Sequence, residues 1–169
     1  MFGPDSNLAS YAKNFTEKQV IPIPSFGFCP VHKLFNKEEI LKIKKIHPDA
    51  EVMAHPECSP EVCKAADFVG STSKMYRESL TSDAKKFIVA TEIGLLHRLK
   101  KARKDAVFIP AYEEAVCVNM KLHTLEKVYL SLMREKYRVK IPSKVMNEAK
   151  KAVEFMLKTR EAHLGKKLQ

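Results

Sequence analysis

The stretch VMAHPECSPEVCKAADFVGSTSKM, residues 52–75, concentrates the side chains best suited to chemistry. It holds His55, Glu57, Cys58 and Cys63, then Ser71 and Thr72 behind Gly70. An apolar lead, Val52-Met53-Ala54, breaks at His55-Pro56, and a second one, Phe68-Val69, breaks at Gly70. Residues two apart on an extended segment point the same way, so His55 and Glu57 face one pocket past a strand's carboxyl end. Open α/β sheets bind ligands at that edge. A carboxylate beside an imidazole is a usable acid–base pair; a satisfied surface pair closing a strand is the plainer alternative. Gly70-Ser71-Thr72 offers backbone N–H groups and hydroxyls to an anion. An ordinary helix cap by Thr72 or Ser73 explains it as well.

The remaining candidates lie outside this stretch. GFCPVH places Cys29 and His32 three residues apart, half of a metal site with no matching second pair at zinc-finger spacing. Cys63 falls in a helical pattern, where a buried thiol is the simple outcome. Cys117, in EEAVCVNMK, reads on its own as a core cysteine at a strand–helix junction. One internal echo stands out. IPIPSFGFC and VFIPAYEEAVC each run from an apolar strand through a proline break to a cysteine, and Cys29 and Cys117 are 88 residues apart. His47, His97, His123 and His163 sit in helical contexts and read as surface or packing residues.

The elements that must hold these groups follow from periodicity. Short apolar runs at 19–23, 51–54, 67–69, 86–90 and 106–109 are the strand candidates. Helical patterns lie between them. Asp5 or Ser6 caps the first and Asn36 caps another, whose early acids and late lysines suit the helix dipole. Further helices follow Gly70 and Thr91. Strands alternating with helices through short connections predict an α/β fold, three-layered and Rossmann-like, on a parallel sheet. Residues 121–136 and 143–164 are two amphipathic helices, expected to cover the sheet or to pack on another domain.

Composition narrows the function classes. With 169 residues, 45% of them hydrophobic, the chain has enough material for a real core, and no apolar run is long enough to span a membrane. No signal-peptide pattern opens the sequence, which predicts a cytoplasmic home where the four cysteines are thiols or metal ligands rather than disulfides. The net charge of +10 raises nucleic acid as a partner. Its main clusters are Lys42-Lys44-Lys45, residues 98–104 and the tail at 164–169. They are scattered among acids and lack interleaved aromatics, so a lysine-rich surface or anionic small molecules explain the charge as well.

Taken in order, PDSNL, GFCPVH, HPDAEVMAHPEC, ADFVGSTS, FIVATEIGLL and CVNMK resemble the quinolinate synthase family, from residue 2 to about residue 130. The resemblance implies condensation of iminoaspartate with dihydroxyacetone phosphate to quinolinate, the pyridine precursor of NAD. It implies a pseudo-symmetric fold of three α/β domains around a [4Fe–4S] cluster, each domain giving one cysteine, with one iron open to substrate. Residues 1–29 would then close the second domain, 30–117 form the third, and 118–169 supply C-terminal helices. Cys29 and Cys117 would be cluster ligands and Glu57 the acid–base residue. His55 and His32 would orient substrate, and Ser71 and Thr72 would hold a carboxylate or phosphate. Cys58 would not be a ligand.

A whole family member is about twice as long, and PDSNL reads as a strand end running straight into a helix, so an N-terminal portion with the third cysteine ligand is expected from another chain. Apolar surface meant for it would favour oligomerisation. The alternatives are an inactive remnant or metal-binding module of the same fold and, more remotely, a basic nucleic-acid binder whose affinity falls steeply with salt.

Overall fold

The structure is a computed structural model describing residues 1–165, with side chains through residue 159. It divides into two compact units, Met1–Leu122 and His123–Gln169. The first contains helices α1 (Ser6–Lys13), α2 (Lys37–Ile46), α3 (Pro60–Ala65), α4 (Thr72–Thr81), α5 (Gly94–Ala102) and α6 (Val118–Lys121). Its strands are β1 (Glu51–Ala54), β2 (Phe68–Val69), β3 (Lys86–Ala90) and β4 (Val107–Pro110). The second unit contains α7 (Leu125–Arg134) and α8 (Ser143–Gly165).

All the strand pairs are parallel, in the order β2-β1-β3-β4. Parallel strands are covered on both faces, and alternate residues divide accordingly. Val52, Ala54, Ile88 and Ala90 face one core with Ile40 of α2 and Val62 of α3. Met53, Phe87, Val89 and Phe108 face the other with Met75 of α4 and Leu96 and Leu99 of α5. The result is a three-layer α/β/α sandwich. The chain passes from β1 through α3 to β2, then through α4 across β1 to β3. Reversing the direction of travel while keeping right-handed crossovers moves the helix to the opposite face. The reversal lies between β1 and β3, where an open sheet leaves a crevice at its carboxyl edge.

Local signals account for the helix starts. Asp5 caps α1 by accepting from Leu8 N–H, and Asn36 caps α2 by accepting from Glu38 and Glu39 N–H. Ser71 caps α4 by accepting from Lys74 N–H, so the cap falls one residue before the expected Thr72 or Ser73. The strand expected at 19–23 is absent. Among the described residues its pairing is limited to an isolated bridge between Phe2 and Pro22, because Pro22 and Pro24 have no N–H to give a ladder. Pro110 is tolerated in β4 because that strand lies at the sheet's edge.

Arg103 ties α4 to α5. It is 8% exposed, and its guanidinium donates to the carbonyls of Ser79, Ser82 (2.8 Å) and Ala84 (2.7 Å). One member of the basic run at 98–104 is therefore a structural cation rather than free surface charge. His163 and the side chains of the 164–169 tail lie outside the described side chains. No helix among the described residues is long and apolar enough to cross a membrane.

Candidate active site and cysteine-lined cavity

Three segments converge on the crevice between β1 and β3. Ala54 pairs with Val69 on one side and Ala90 on the other, so the residues following each strand share one edge. His55 and Glu57 follow β1, Thr91 and Glu92 follow β3, and Gly70-Ser71 follows β2. His32 arrives from a short 3-10 turn, His32–Leu34, before α2 and bridges the crevice. Its Nδ1 lies 2.9 Å from Glu57 Oε2, and its Nε2 lies 2.9 Å from the Thr91 hydroxyl.

Burial fixes the protonation pattern. It lowers the His32 pKa, outweighing the opposing pull of Asp5. Burial and then repulsion from His32 push His55 down to about 4, against the attraction of Glu57. Both rings are neutral near pH 7, and they stack 4.2 Å apart at 4°. A neutral His32 must donate from Nδ1 to the Glu57 carboxylate, which leaves Nε2 to accept the Thr91 O–H. The Glu57 N–H donates to His55 Nδ1 at 3.3 Å, so His55 carries its proton on Nε2. The 3.8 Å approach of His55 Nδ1 to Glu57 Oε2 is therefore no ion pair. The outcome is a directed relay: Thr91 O–H to His32, and His32 N–H to Glu57.

Ligand atoms of Cys29, His32 and Glu57 all lie within 4.8 Å of one another. Cys29 and Glu57 also line a 340 Å³ cavity with Pro4, Asp5, Pro24, Gly27 and Phe28. Gly27 is required there, because a Cβ at that position would overlap the Pro4 carbonyl. Cys117 caps the start of α6 and, like Cys29, is half-buried against the α2–α3 core. It is not part of the 4.8 Å group.

The other candidates sort by environment. Ser71 and Thr72 are exposed at the start of α4, and the Ser71 hydroxyl is used as a cap. Cys58 is buried, and burial drives its thiol pKa strongly upward; its Sγ contacts the Ala90 carbonyl. Burial pushes Cys63 up to about 11. Both are protonated thiols, in keeping with a structural place. His97 and His123 are exposed and His47 ends α2. Sequence reasoning missed Thr91, Asp5 and Glu92 as site residues. The available signal was their position directly after a strand or before a helix.

The family profile described as Quinolinate synthetase A protein matches residues 1–158. The quinolinate synthases of Methanothermobacter thermautotrophicus and Pyrococcus furiosus are each 46% identical, over 95% and 93% of this chain. That of Thermodesulfovibrio yellowstonii is 45% identical over 93% of it. The chain spans about half the length of these curated relatives: 53%, 51% and 52%. With the profile covering nearly the whole sequence and these relatives 45–46% identical over more than nine-tenths of it, the chain belongs to the quinolinate synthetase A family.

Proposed function

We propose that this chain supplies the C-terminal part of a quinolinate synthase, working in the cytoplasm with an N-terminal portion contributed separately. The observation that carries this reading is the convergence of Cys29, His32 and Glu57 at the sheet's switch point. In it, residues 1–29 complete a second α/β domain, 30–117 form the third, and 118–169 are the C-terminal helices. Large apolar side chains left in water support a missing neighbour, among them Phe26 at 78% exposure in the first unit and Leu125 at 86% in the second.

The donor set suits an iron–sulfur cluster in part. Cys29 and Cys117 are half-buried sulfurs at the rim of one core, and Cys29 opens on the 340 Å³ cavity. Thiolates are the usual ligands of [4Fe–4S] clusters, and a third must come from the absent portion. When bound, such a cluster with an open iron supplies a Lewis acid. The chain's own residues do the rest. Glu57 accepts and returns the protons exchanged as iminoaspartate and dihydroxyacetone phosphate condense with loss of phosphate and water. His32, held by Thr91, aims the Glu57 carboxylate. His55 presents its Nε2–H to a substrate oxygen. Ser71 and Thr72, at the N-terminus of α4, receive a carboxylate or phosphate.

The experiment is anaerobic co-expression with an N-terminal counterpart drawn from a related quinolinate synthase, followed by cluster reconstitution and quinolinate measurement. The expected product is a brown, oxygen-sensitive complex that forms quinolinate. In that complex Glu57→Gln keeps the visible absorption and lowers turnover about 10²-fold or more, the usual scale of a general acid–base group. A colourless, inactive mixture, or unchanged turnover in Glu57→Gln, refutes the assignment.

A further inference from the structure

Two carboxylates repeat one arrangement at the two half-buried cysteines. Asp5 is 4% exposed and uses both oxygens: Oδ1 accepts the Leu8 N–H at 2.7 Å, and Oδ2 accepts the Cys29 N–H at 2.8 Å. Glu92, one residue ahead of the cap position of α5, also uses both oxygens. Its Oε2 accepts the Gly94 N–H at 2.8 Å, and its Oε1 accepts the Cys117 N–H at 3.5 Å and lies 3.2 Å from Lys121 Nζ. The sequence separations are 24 and 25 residues. In both places a helix-opening carboxylate turns its second oxygen to the backbone of a distant cysteine.

Capping explains only one oxygen of Asp5, and Glu92 lies one residue before the cap position of α5, Ile93. Each segment is also drawn to its helix start by backbone bonds, Ser6 N–H to the Gly27 carbonyl at 2.8 Å and Ile93 N–H to the Ala115 carbonyl at 2.9 Å, and the second carboxylate oxygen adds the one contact made at the cysteine itself. Glycines clear the approach at both positions. Gly27 lies against the Pro4 carbonyl beside Asp5, and a Cβ on Gly94 would come within 2.6 Å of Glu92 Oε2. Charge-assisted bonds to backbone N–H groups are the stronger class of hydrogen bond, and the Asp5 bond is also shielded from water.

We propose that Asp5 and Glu92 are positioning residues, equivalent backbone latches that preset the Cys29 and Cys117 segments so that their sulfurs are aimed before any cluster is bound. The inference rests on the reading of these cysteines as ligands, and it deepens that reading by naming what holds them. It also gives the 88-residue echo a physical content: the same latch, used twice.

The test is thiol accessibility in the purified full chain without cluster, so it does not depend on enzyme activity. Iodoacetamide labelling, followed by peptide mass spectrometry, gives a separate rate for each cysteine. In Asp5→Asn the amide oxygen still caps α1, but an NH₂ group now faces the Cys29 N–H. Cys29 should label about tenfold faster, the factor expected for losing one charge-assisted hydrogen bond, while Cys117 keeps its rate. Glu92→Gln should speed Cys117 alone. The effect should be about threefold, because a 3.5 Å bond is weak to begin with. Thermal unfolding checks that each variant is folded; Glu92 is partly exposed, so its variant decides the question if Asp5→Asn is not. The proposal is overturned if the tested variant leaves its own cysteine at the parent rate, or if it accelerates both cysteines alike, as general loosening would. Selective acceleration with no quinolinate from the reconstituted pair would uphold the latches and refute the enzyme reading.

Discussion

Replacing Thr91 with Val probes the relay at its least conspicuous member. Thr91 is 2% exposed and His32 7% exposed, so water does not readily replace the lost hydroxyl. His32 Nε2 is left as a buried acceptor with no donor. That costs about 1–3 kcal/mol, offset in part by about 0.8 kcal/mol from the added methyl. The net loss of about 0.2–2 kcal/mol lowers the melting temperature of a unit this size by about 1–8 °C. His32 has one escape: moving its proton to Nε2. Its bare Nδ1 would then lie 2.9 Å from Glu57 Oε2, a contact between two acceptors, which forces the carboxylate away. The first outcome leaves the Nδ1–H bond to Glu57 in place at a cost in stability, and the second separates Glu57 from the group that aims it. Circular dichroism melts report the stability, and nitrogen chemical shifts of the His32 ring report the tautomer. Thr91→Ser restores the hydroxyl and should restore both. A Thr91→Val protein that melts within 1 °C of the parent, with an unchanged His32 tautomer, would refute the relay.

The histidine pair predicts acid sensitivity with a definite sign. A histidine whose pKa is lowered on folding stabilises the protein fully above the unfolded value of 6.5 and loses that contribution as pH falls towards about 4, because the unfolded chain takes the proton first. The full shift corresponds to about 3 kcal/mol, and screening at the cavity wall brings the expected loss to about half of that. Urea unfolding from pH 7 to 4.5 should show it, and His55→Asn, whose side-chain oxygen can still accept the Glu57 N–H, should flatten the profile; equal slopes in the two proteins would refute the assignment. Arg103→Met keeps much of the side-chain volume but strands the carbonyls of Ser79, Ser82 and Ala84. It should cost about 3 kcal/mol, seen as a fall of about 10 °C in a thermal melt, and a change under 2 °C would show that the clamp is not needed.

The sheet was legible because its signals are local. The strands expected at 51–54 and 86–90 appear with those bounds, and alternation between two cores follows directly from residue type. The caps at Asp5 and Asn36 were equally readable. The failure at 19–23 came from giving apolar character more weight than the prolines that remove ladder donors. The pairing of His55 with Glu57 was expected from an extended segment, whereas the chain turns there, with Cys58 N–H donating to the His55 carbonyl at 2.9 Å, and the turn brings the Glu57 N–H to His55 Nδ1. What could not be read was the third dimension. His32 meets Glu57 from 25 residues away and Thr91 from 59 residues away, through a crevice that exists only once the strand order is set. A threonine after a strand carries no mark of that duty.

The order of the strands also explains why the site draws on chain segments so far apart. At the crevice between β1 and β3, connections leave towards opposite faces, so no single loop can close the gap. The segment carrying Cys29 and His32 fills it from outside the sheet, held by Asp5 at one end and by Glu57 and Thr91 at the other. Residues 1–32 therefore supply half of the polar apparatus and most of the cavity wall around Cys29. Two neutral histidines keep the charge beside Glu57 to that of the carboxylates, and Lys121 is taken up by Glu92 at 3.2 Å. On the proposed function, an anionic substrate drawn by the molecule's net charge of +10 meets at Glu57 a carboxylate that repels it, so the charge of the substrate has to be taken up by another group before Glu57 can act on it.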